Sequence, residues 1–532
     1  MQRLVGLARH PGRIPAAIRR RVLPPTTPTA PAPKPEARPV PQELPPIAPR
    51  RYSELEIRQL GDGDLFDGHV LWAASKHETK PERLDLILID PSPDDNVDDL
   101  RAATARLPEA PTVVAARTKS HLEAAERAGL PALIADLALA ERTGEARSLL
   151  LPTVNPYRHN PQGWVRTPPE GLASVDPHGS HAPAQAKATH LTLDRAFRGS
   201  AHRFRGLYVD PRSFQGDHEY LAVVLRLAAR GCPIVTPPNE LIDGLIPYLP
   251  ASTPAQIEDA LERLGDDSQR ERVSVEARRA VFLDHSPDAR LEQILEFTGI
   301  RREPPQMISV LGATKRPDRI GDLVASFTSQ AWPEKELILI LHGADAFDLE
   351  AVDSALPNGS TACHVVPVAS DITLGEALNA GLRLARGAYI AKMDDDDHYG
   401  PQHLTDLMVA ATYADASAVG KLANPTYLTE SNSTVDWRIG DQEKHVHHLP
   451  GATMLIRRDL LDRYRFSRVE QSVDATLWRR MTADGHQLYS THWLNFVRVR
   501  HGDNTYRRPE DDFIRLATQR PEPGLNPTRW FV

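Results

Sequence analysis

The sequence predicts a multi-domain α/β protein whose sheets are largely parallel. Its 532 residues exceed what one domain usually holds and leave ample material for cores. Short apolar runs such as residues 84–90, 111–116 and 336–341 alternate with stretches of helical periodicity, the pattern of strand–helix–strand units. A hydrophobic content of 41% with 25% charged residues is that of an ordinary globular chain.

The bulk numbers also exclude. A net charge of −8 and a pI near 6.2 argue against nucleic acid as the main partner. Cys232 and Cys363 lie far apart without metal-ligand spacing, which fits a reducing compartment. No apolar run approaches the roughly 18 residues of a spanning helix, and no secretory signal is evident, so the expected location is cytoplasmic.

In chain order, residues 1–50 read as a disordered leader. Arg3, Arg9, Arg13 and Arg19 to Arg21 sit among scattered aliphatics, followed by a proline-dominated stretch that suits an extended linker. Such a leader is either a solvated tail or a peripheral contact with anionic lipid. Residues 51–158 are expected to form a Rossmann-like domain, with strands at 84–90, 111–116, 131–135 and 149–152 and helices at 97–107 and 120–128. Residues 159–188, rich in Pro, Gly and His, read as a connection. A second Rossmann-like unit is expected over 189–302, with strands at 207–210 and 232–236 and helices at 218–230, 253–264, 267–282 and 288–297.

Residues 303–532 carry the strongest signal. A strand from Met307 ends in Thr314, Lys315 and Arg316; a helix at 319–328 leads to a strand at 336–341. A helix from Leu374 breaks at Gly387 and opens a strand that runs into Asp394, Asp395, Asp396 and Asp397. That order places the polar turns at the carboxyl ends of parallel strands, where open α/β sheets bind ligands. Four adjacent carboxylates repel one another and either hold a hard cation, Mg²⁺ or Mn²⁺, or form a solvated acidic loop.

These residues resemble the family 2 (GT-A) glycosyltransferases. The opening strand with its Thr-x-Arg turn, Asn379 and Gly381 in a helix, Gly387, Tyr389 and Ile390 before the aspartates, and Pro401 after them follow the family order. So do residues 450–458, the helix at 472–480 with Asp474, and His501 with Asn504. The resemblance implies a nucleotide-diphospho-sugar transferase domain. It gives Asp394, Asp396, Asp397 and His501 as metal ligands and Asp474 as catalytic base, with Glu470 as fallback. Donor contacts fall on Thr314, Arg316, His342, Asn379, Lys392, Asp394 and Asp395. The family's acidic residue after the second strand is replaced by His342, so the donor base is open, with a UDP-sugar the first choice and Asp371 a substitute contact. A glycan or lipid-linked acceptor in cell-surface polysaccharide or glycolipid synthesis is implied.

Residues 152–156 and 229–235 resemble, more faintly, the two-Rossmann (GT-B) glycosyltransferases of the spore-maturation-protein type. Arg226 stands where that family keeps an acid, so a degenerate module is expected. Two other readings of the whole are an inactive carbohydrate- or nucleotide-binding scaffold and a nucleotidyltransferase. His445, His447 and His448 are tempting as zinc ligands, but their spacing fits a partly exposed loop.

Overall fold

The computed structural model describes residues 57–60, 86–92, 94–104, 109–136, 139, 150–156, 158–164, 168, 170–177, 188–300, 304–356, 362–502, 508–517 and 520–532. The leader at 1–50 lies outside them, as do residues 105–107 of the first expected helix.

Four parallel strands form the first sheet in the order β1 (Ile57–Leu60), β2 (Leu86–Ile89), β3 (Thr112–Ala116), β4 (Ala132–Ile134). β2 is buried at every position and β3 at all but its first, which explains their unbroken apolar runs. Leu150 to Pro152, expected as a further strand, carry no strand geometry. A second parallel sheet has the order β6 (Thr189–Leu191), β5 (Glu170–Val175), β7 (Phe204–Val209), β8 (Ile234–Thr236), β9 (Leu249–Pro250). β5 lies inside the expected connection at 159–188. Its Gly171, Ala173 and Ser174 have weak strand propensity, and pairing with β6 and β7 outweighs it.

The back half is built on an eight-stranded sheet. Its strands are β10 (Ile308–Thr314), β11 (Lys335–His342), β12 (Ala362–Val368), β13 (Tyr389–Met393), β15 (Ala418–Gly420), β18 (Lys444–Val446), β19 (Leu455–Arg457) and β20 (Leu488–Ser490). They run in the order β12-β11-β10-β13-β19-β15-β20-β18, and the first four are mutually parallel. Because β11 and β13 flank β10, the winding reverses at β10. That reversal leaves a crevice at the carboxyl ends of β10 and β13. A smaller sheet of β14 (His398–Tyr399), β21 (Phe496–Arg500), β16 (Asn424–Leu428), β17 (Ser433–Trp437) and β22 (Glu522–Pro523) stands beside it.

The apolar core continues across the expected boundary at 302/303. One cluster joins Tyr220, Val281 and Phe282 to Val310, Leu339, Tyr413 and Phe496. The Asp267–Asp284 helix makes the join: Phe282 stacks on Tyr413 at 5.4 Å, and Val275 packs with Trp493 and Trp530. Two ion pairs go with it. Arg278 donates to Glu443 at 2.9 Å and Arg279 to Asp406 at 2.8 Å, both carboxylates being fully buried.

One close approach fixes the helix beneath the crevice. A Cβ on Gly375 would lie 1.7 Å from the Ser467 carbonyl oxygen, a backbone atom that cannot swing aside. Gly375→Ala is therefore expected to destabilise the fold by about 2–4 kcal/mol through forced separation of the Leu374–Leu382 helix from residues 466–468. An unchanged denaturant midpoint would refute this.

Among the described residues no helix is long and apolar enough to cross a membrane.

Candidate functional site

Thr314, at the end of β10, turns the chain so that three groups meet. Its hydroxyl bonds Asp395, and its oxygen accepts the Arg316 amide at 2.9 Å. The Arg316 guanidinium then reaches both Asp395 oxygens, Nε at 3.1 Å to Oδ2 and Nη2 to Oδ1, and also donates to Asp396 Oδ2 at 3.0 Å. Asp395 is thus the fixed partner of an arginine and is 7% exposed. Its role here is to aim Arg316 across the crevice. The hydrogen bonds that Arg316 donates to Asp395 and Asp396 raise its pKa further.

The other three acids face one another. Oxygens of Asp394, Asp396 and Asp397 lie within 4.8 Å of one another. Burial, with Asp396 and Asp394 adding repulsion, pushes Asp397 well above the ordinary carboxylate range, against the pull of Arg498. Burial also raises Asp394, although Lys392, in direct contact with it, pulls the other way. Burial acts on Asp396 too, but hydrogen bonds from Arg316 and His501 outweigh it and hold that carboxyl low. Three hard oxygens at this spacing, two of them held above their usual proton affinity, can hold a divalent cation. The backbone is pinned for the purpose. The Asp394 amide donates to the Tyr399 hydroxyl at 2.8 Å, which donates to Ala452 O at 3.1 Å, and the Val499 amide donates to Asp397 Oδ1 at 2.8 Å.

His501 lies 2.8 Å from Asp396 Oδ2 and 3.4 Å from Arg316 Nη1. It stands beside the acid triad as a hydrogen-bond partner of one member, rather than within the group of three. Asp503 and Asn504 of the same motif lie outside the described residues.

Asp474 closes the opposite wall. It occupies the first turn of the Val473–Ala483 helix, and its Oδ2 accepts the Gly451 amide at 2.9 Å. A Cβ on Gly451 would touch Asp474 at 3.3–3.4 Å, so glycine there leaves the carboxylate room. Ser472, just before the helix, holds a left-handed φ of 57°. Strained backbone of this kind is kept where the surrounding structure over-determines it, often beside functional groups. The charge of Asp474 reaches Lys392, His448 and Arg498, so the expected base and the acid triad share one electrostatic site.

Three other expected residues stand differently. The Asn379 amide is engaged on both sides with the Phe466 backbone, donating at 2.8 Å and accepting at 3.0 Å, which makes it a clamp between helix and loop. His342 is 3% exposed. Its Nε2 meets Ile372 O at 2.8 Å, while its Nδ1 is buried without a hydrogen-bond partner among the described residues. Glu470 and Asp371 are both exposed, and the Glu470 charge reaches His342. His445, His447 and His448 are exposed, His445 lying on the edge strand β18. Arg498 is a site residue that sequence reading missed. It lies on β21 within reach of Asp397, Asp474 and Asp394, and burial lowers its pKa. In an alternating strand it looks like any solvent-facing base.

Residues 310–465 match the glycosyl transferase family 2 model, spanning β10 through the helix after β19. This segment is a family 2 glycosyl transferase domain. No curated protein matches the chain.

Among solved structures, a mannosyltransferase from Pyrobaculum calidifontis in complex with GDP-Man and Mn²⁺ is 16% identical at a TM-score of 0.30. The match covers 37% of this chain and 57% of that one. S. aureus TarS 1-349 with UDP-GlcNAc is 13% identical at 0.31, covering 40% and 64%. Glucosyl-3-phosphoglycerate synthase from Mycobacterium tuberculosis is 18% identical at 0.27, covering 39% and 74%. The chain thus spans less than two thirds of the length of the first two proteins. The family 2 segment lies wholly in the back half and gives no support to the expected two-Rossmann resemblance of the front half.

Proposed function

We propose that the family 2 domain transfers a sugar, with inversion, from a nucleotide diphosphate sugar to an acceptor hydroxyl. The observation that carries this reading is the convergence of the acid triad and Asp474 on one crevice at the ends of β10 and β13. Transfer needs two charge-handling parts. One must steady the departing diphosphate, and the other must take the proton of the attacking hydroxyl.

Arg316 and Lys392 supply fixed positive charge on the leaving-group side. Asp394, Asp396 and Asp397 would hold Mg²⁺ or Mn²⁺, which when bound contributes Lewis-acid stabilisation of phosphate oxygens. Asp474 is the base: its Oδ2 is oriented by the Gly451 amide, so the carboxylate meets the acceptor in a set pose. His342 borders the donor side at the end of β11 and takes the place of the family's acid toward the nucleoside base.

The acceptor we infer is a glycan or lipid-linked saccharide of the cell envelope, handled on the cytoplasmic side. The basic leader would bring the enzyme to anionic lipid there.

Titration calorimetry of UDP, GDP and dTDP, with and without Mn²⁺, tests the core of this reading. Wild type is expected to bind one of them in a metal-dependent way. Asp396→Ala is expected to weaken that binding by about 100-fold, the loss of one charged ligand contact plus exposure of its partners to repulsion. Equal binding by wild type and Asp396→Ala would remove the metal site from the reaction. Absence of nucleotide binding in both would leave a scaffold.

A further inference from the structure

The turn that carries the acid triad is held by little of its own sheet. β13 ends at Met393, and β14 is only His398–Tyr399, paired with Val497 and Phe496 of β21. A strand that short makes too few ladder bonds to fix a neighbouring turn. The far end of the turn therefore depends on contacts beyond Tyr399. Tyr399 matters directly, because its hydroxyl accepts the Asp394 amide at 2.8 Å.

Those contacts gather on Asn495, the residue before β21. The Gly400 amide donates to the Asn495 carbonyl oxygen at 3.0 Å, and the Asn495 amide donates to Trp530 O at 2.8 Å. A Cβ on Gly400 would lie 2.5 Å from Asn495 Oδ1 and 2.8 Å from the Phe531 ring, so the two pack directly on the loop backbone. Gln330 Nε2 adds a bond to Gly400 O at 3.1 Å. Asn495 itself is fully buried and holds a left-handed φ of 64°. A side-chain-bearing residue stays in that region where its surroundings over-determine it.

The Asn495 side chain supplies the determination. Its Nδ2 donates to Asp406 Oδ2 at 2.7 Å, and its Oδ1 accepts the Val532 amide at 3.0 Å. Asp406 is fixed in turn by Arg279 Nε at 2.8 Å on Oδ1, with His492 Nε2 3.2 Å from Oδ2. Residues 529–532 are fixed by Arg272, which donates to Phe531 O at 3.0 Å and to Arg529 O at 2.9 Å. Both ends of the Asn495 amide thus lead to the Asp267–Asp284 helix. That helix and Asn495 all lie outside the matched segment at 310–465.

Resting on the metal reading of the acid triad, we propose that Asn495 is a positioning residue for the metal loop. It keeps Gly400 and Tyr399 in place, and so keeps the Asp394–Asp397 turn in its cation-binding form, while Asp406 and Arg279 hold Asn495. The front half then takes part in metal binding without contributing a ligand. Residues that hold metal ligands in position change affinity about 10–100-fold when removed.

Titration of the full chain with Mn²⁺ alone, followed by electron paramagnetic resonance, tests the assignment without any turnover. Asn495→Gly tolerates the left-handed backbone and keeps its main-chain contacts, so only the amide is lost. The expected result is Mn²⁺ affinity weakened about tenfold, with an altered spectrum of the bound ion, in a protein whose circular dichroism matches wild type. A merely structural amide would leave both the affinity and the spectrum of the folded protein unmoved. Wild-type values in folded Asn495→Gly therefore overturn the proposal while leaving the metal reading in place. Where Asn495→Gly does not fold, Arg279→Met carries the test. It should weaken Mn²⁺ binding about threefold, because His492 still faces Asp406, and Arg279→Lys should restore it. Wild-type affinity in Arg279→Met would overturn the proposal there. No uptake by wild type, or uptake equal in Asp396→Ala, overturns the metal reading and this proposal together.

Discussion

Asp474→Asn is expected to lower turnover by about 10³-fold while leaving metal-dependent nucleotide binding within roughly threefold of wild type. Asparagine keeps the shape of aspartate and still presents an oxygen to the Gly451 amide, so the 2.9 Å contact survives. What disappears is the capacity to take a proton, together with a negative charge that reaches Lys392 and Arg498. A loss confined to turnover therefore marks the base, whereas a matching loss of donor affinity would mark a structural carboxylate. Glu470→Gln is the comparison, because Glu470 is exposed and its charge reaches His342 instead of the triad. If Asp474→Asn kept more than roughly a tenth of wild-type turnover, the base would have to be sought elsewhere.

Glu443→Ala is expected to cost about 3–5 kcal/mol of stability, read as a lowered denaturant midpoint. Glu443 and Arg278 have side-chain exposures of 0% and 2%, so truncating the acid strands a guanidinium inside the protein. Three hydroxyls lose their acceptor as well: Tyr413 at 3.0 Å, Tyr489 at 3.1 Å and Thr491 at 3.4 Å. Removing both charges should hurt less than removing one. Arg278→Met with Glu443→Leu is expected to recover most of the lost stability, since an apolar pair in that volume needs no partner. A double variant as unstable as Glu443→Ala would show that shape, rather than stranded charge, sets the cost.

Much of the crevice was legible because its chemistry and its strand signals coincide. β10, β11 and β13 are unbroken apolar runs ending in polar turns, and the aspartates follow directly. β12 was missed: Pro367 interrupts its pattern and most of its residues are half-exposed, as suits its place at the sheet edge. β5 was hidden by Gly, Ala and Ser, whose strand geometry comes from neighbours. The motif that singled out Asn379 is real, yet its amide serves the Phe466 backbone, which spacing alone cannot reveal. Arg278 was hidden because its buried acceptor, Glu443, lies 165 positions away in the chain. Arg498 escaped for the same reason.

The seating of the Asp267–Asp284 helix also bears on how the protein can be made. Its partners arrive late: Glu443 follows Arg278 by 165 positions, and Phe531 follows Arg272 by 259. During synthesis at about 5–20 residues per second, the helix waits several seconds or longer with its arginines and Val275 uncovered before its acceptors leave the ribosome. A recombinant fragment begun at residue 303 would meet the opposite difficulty, exposing Trp493, Tyr413 and the buried Glu443 to water. Expression of the transferase segment in isolation should begin upstream of Asp266, the residue whose side chain caps that helix.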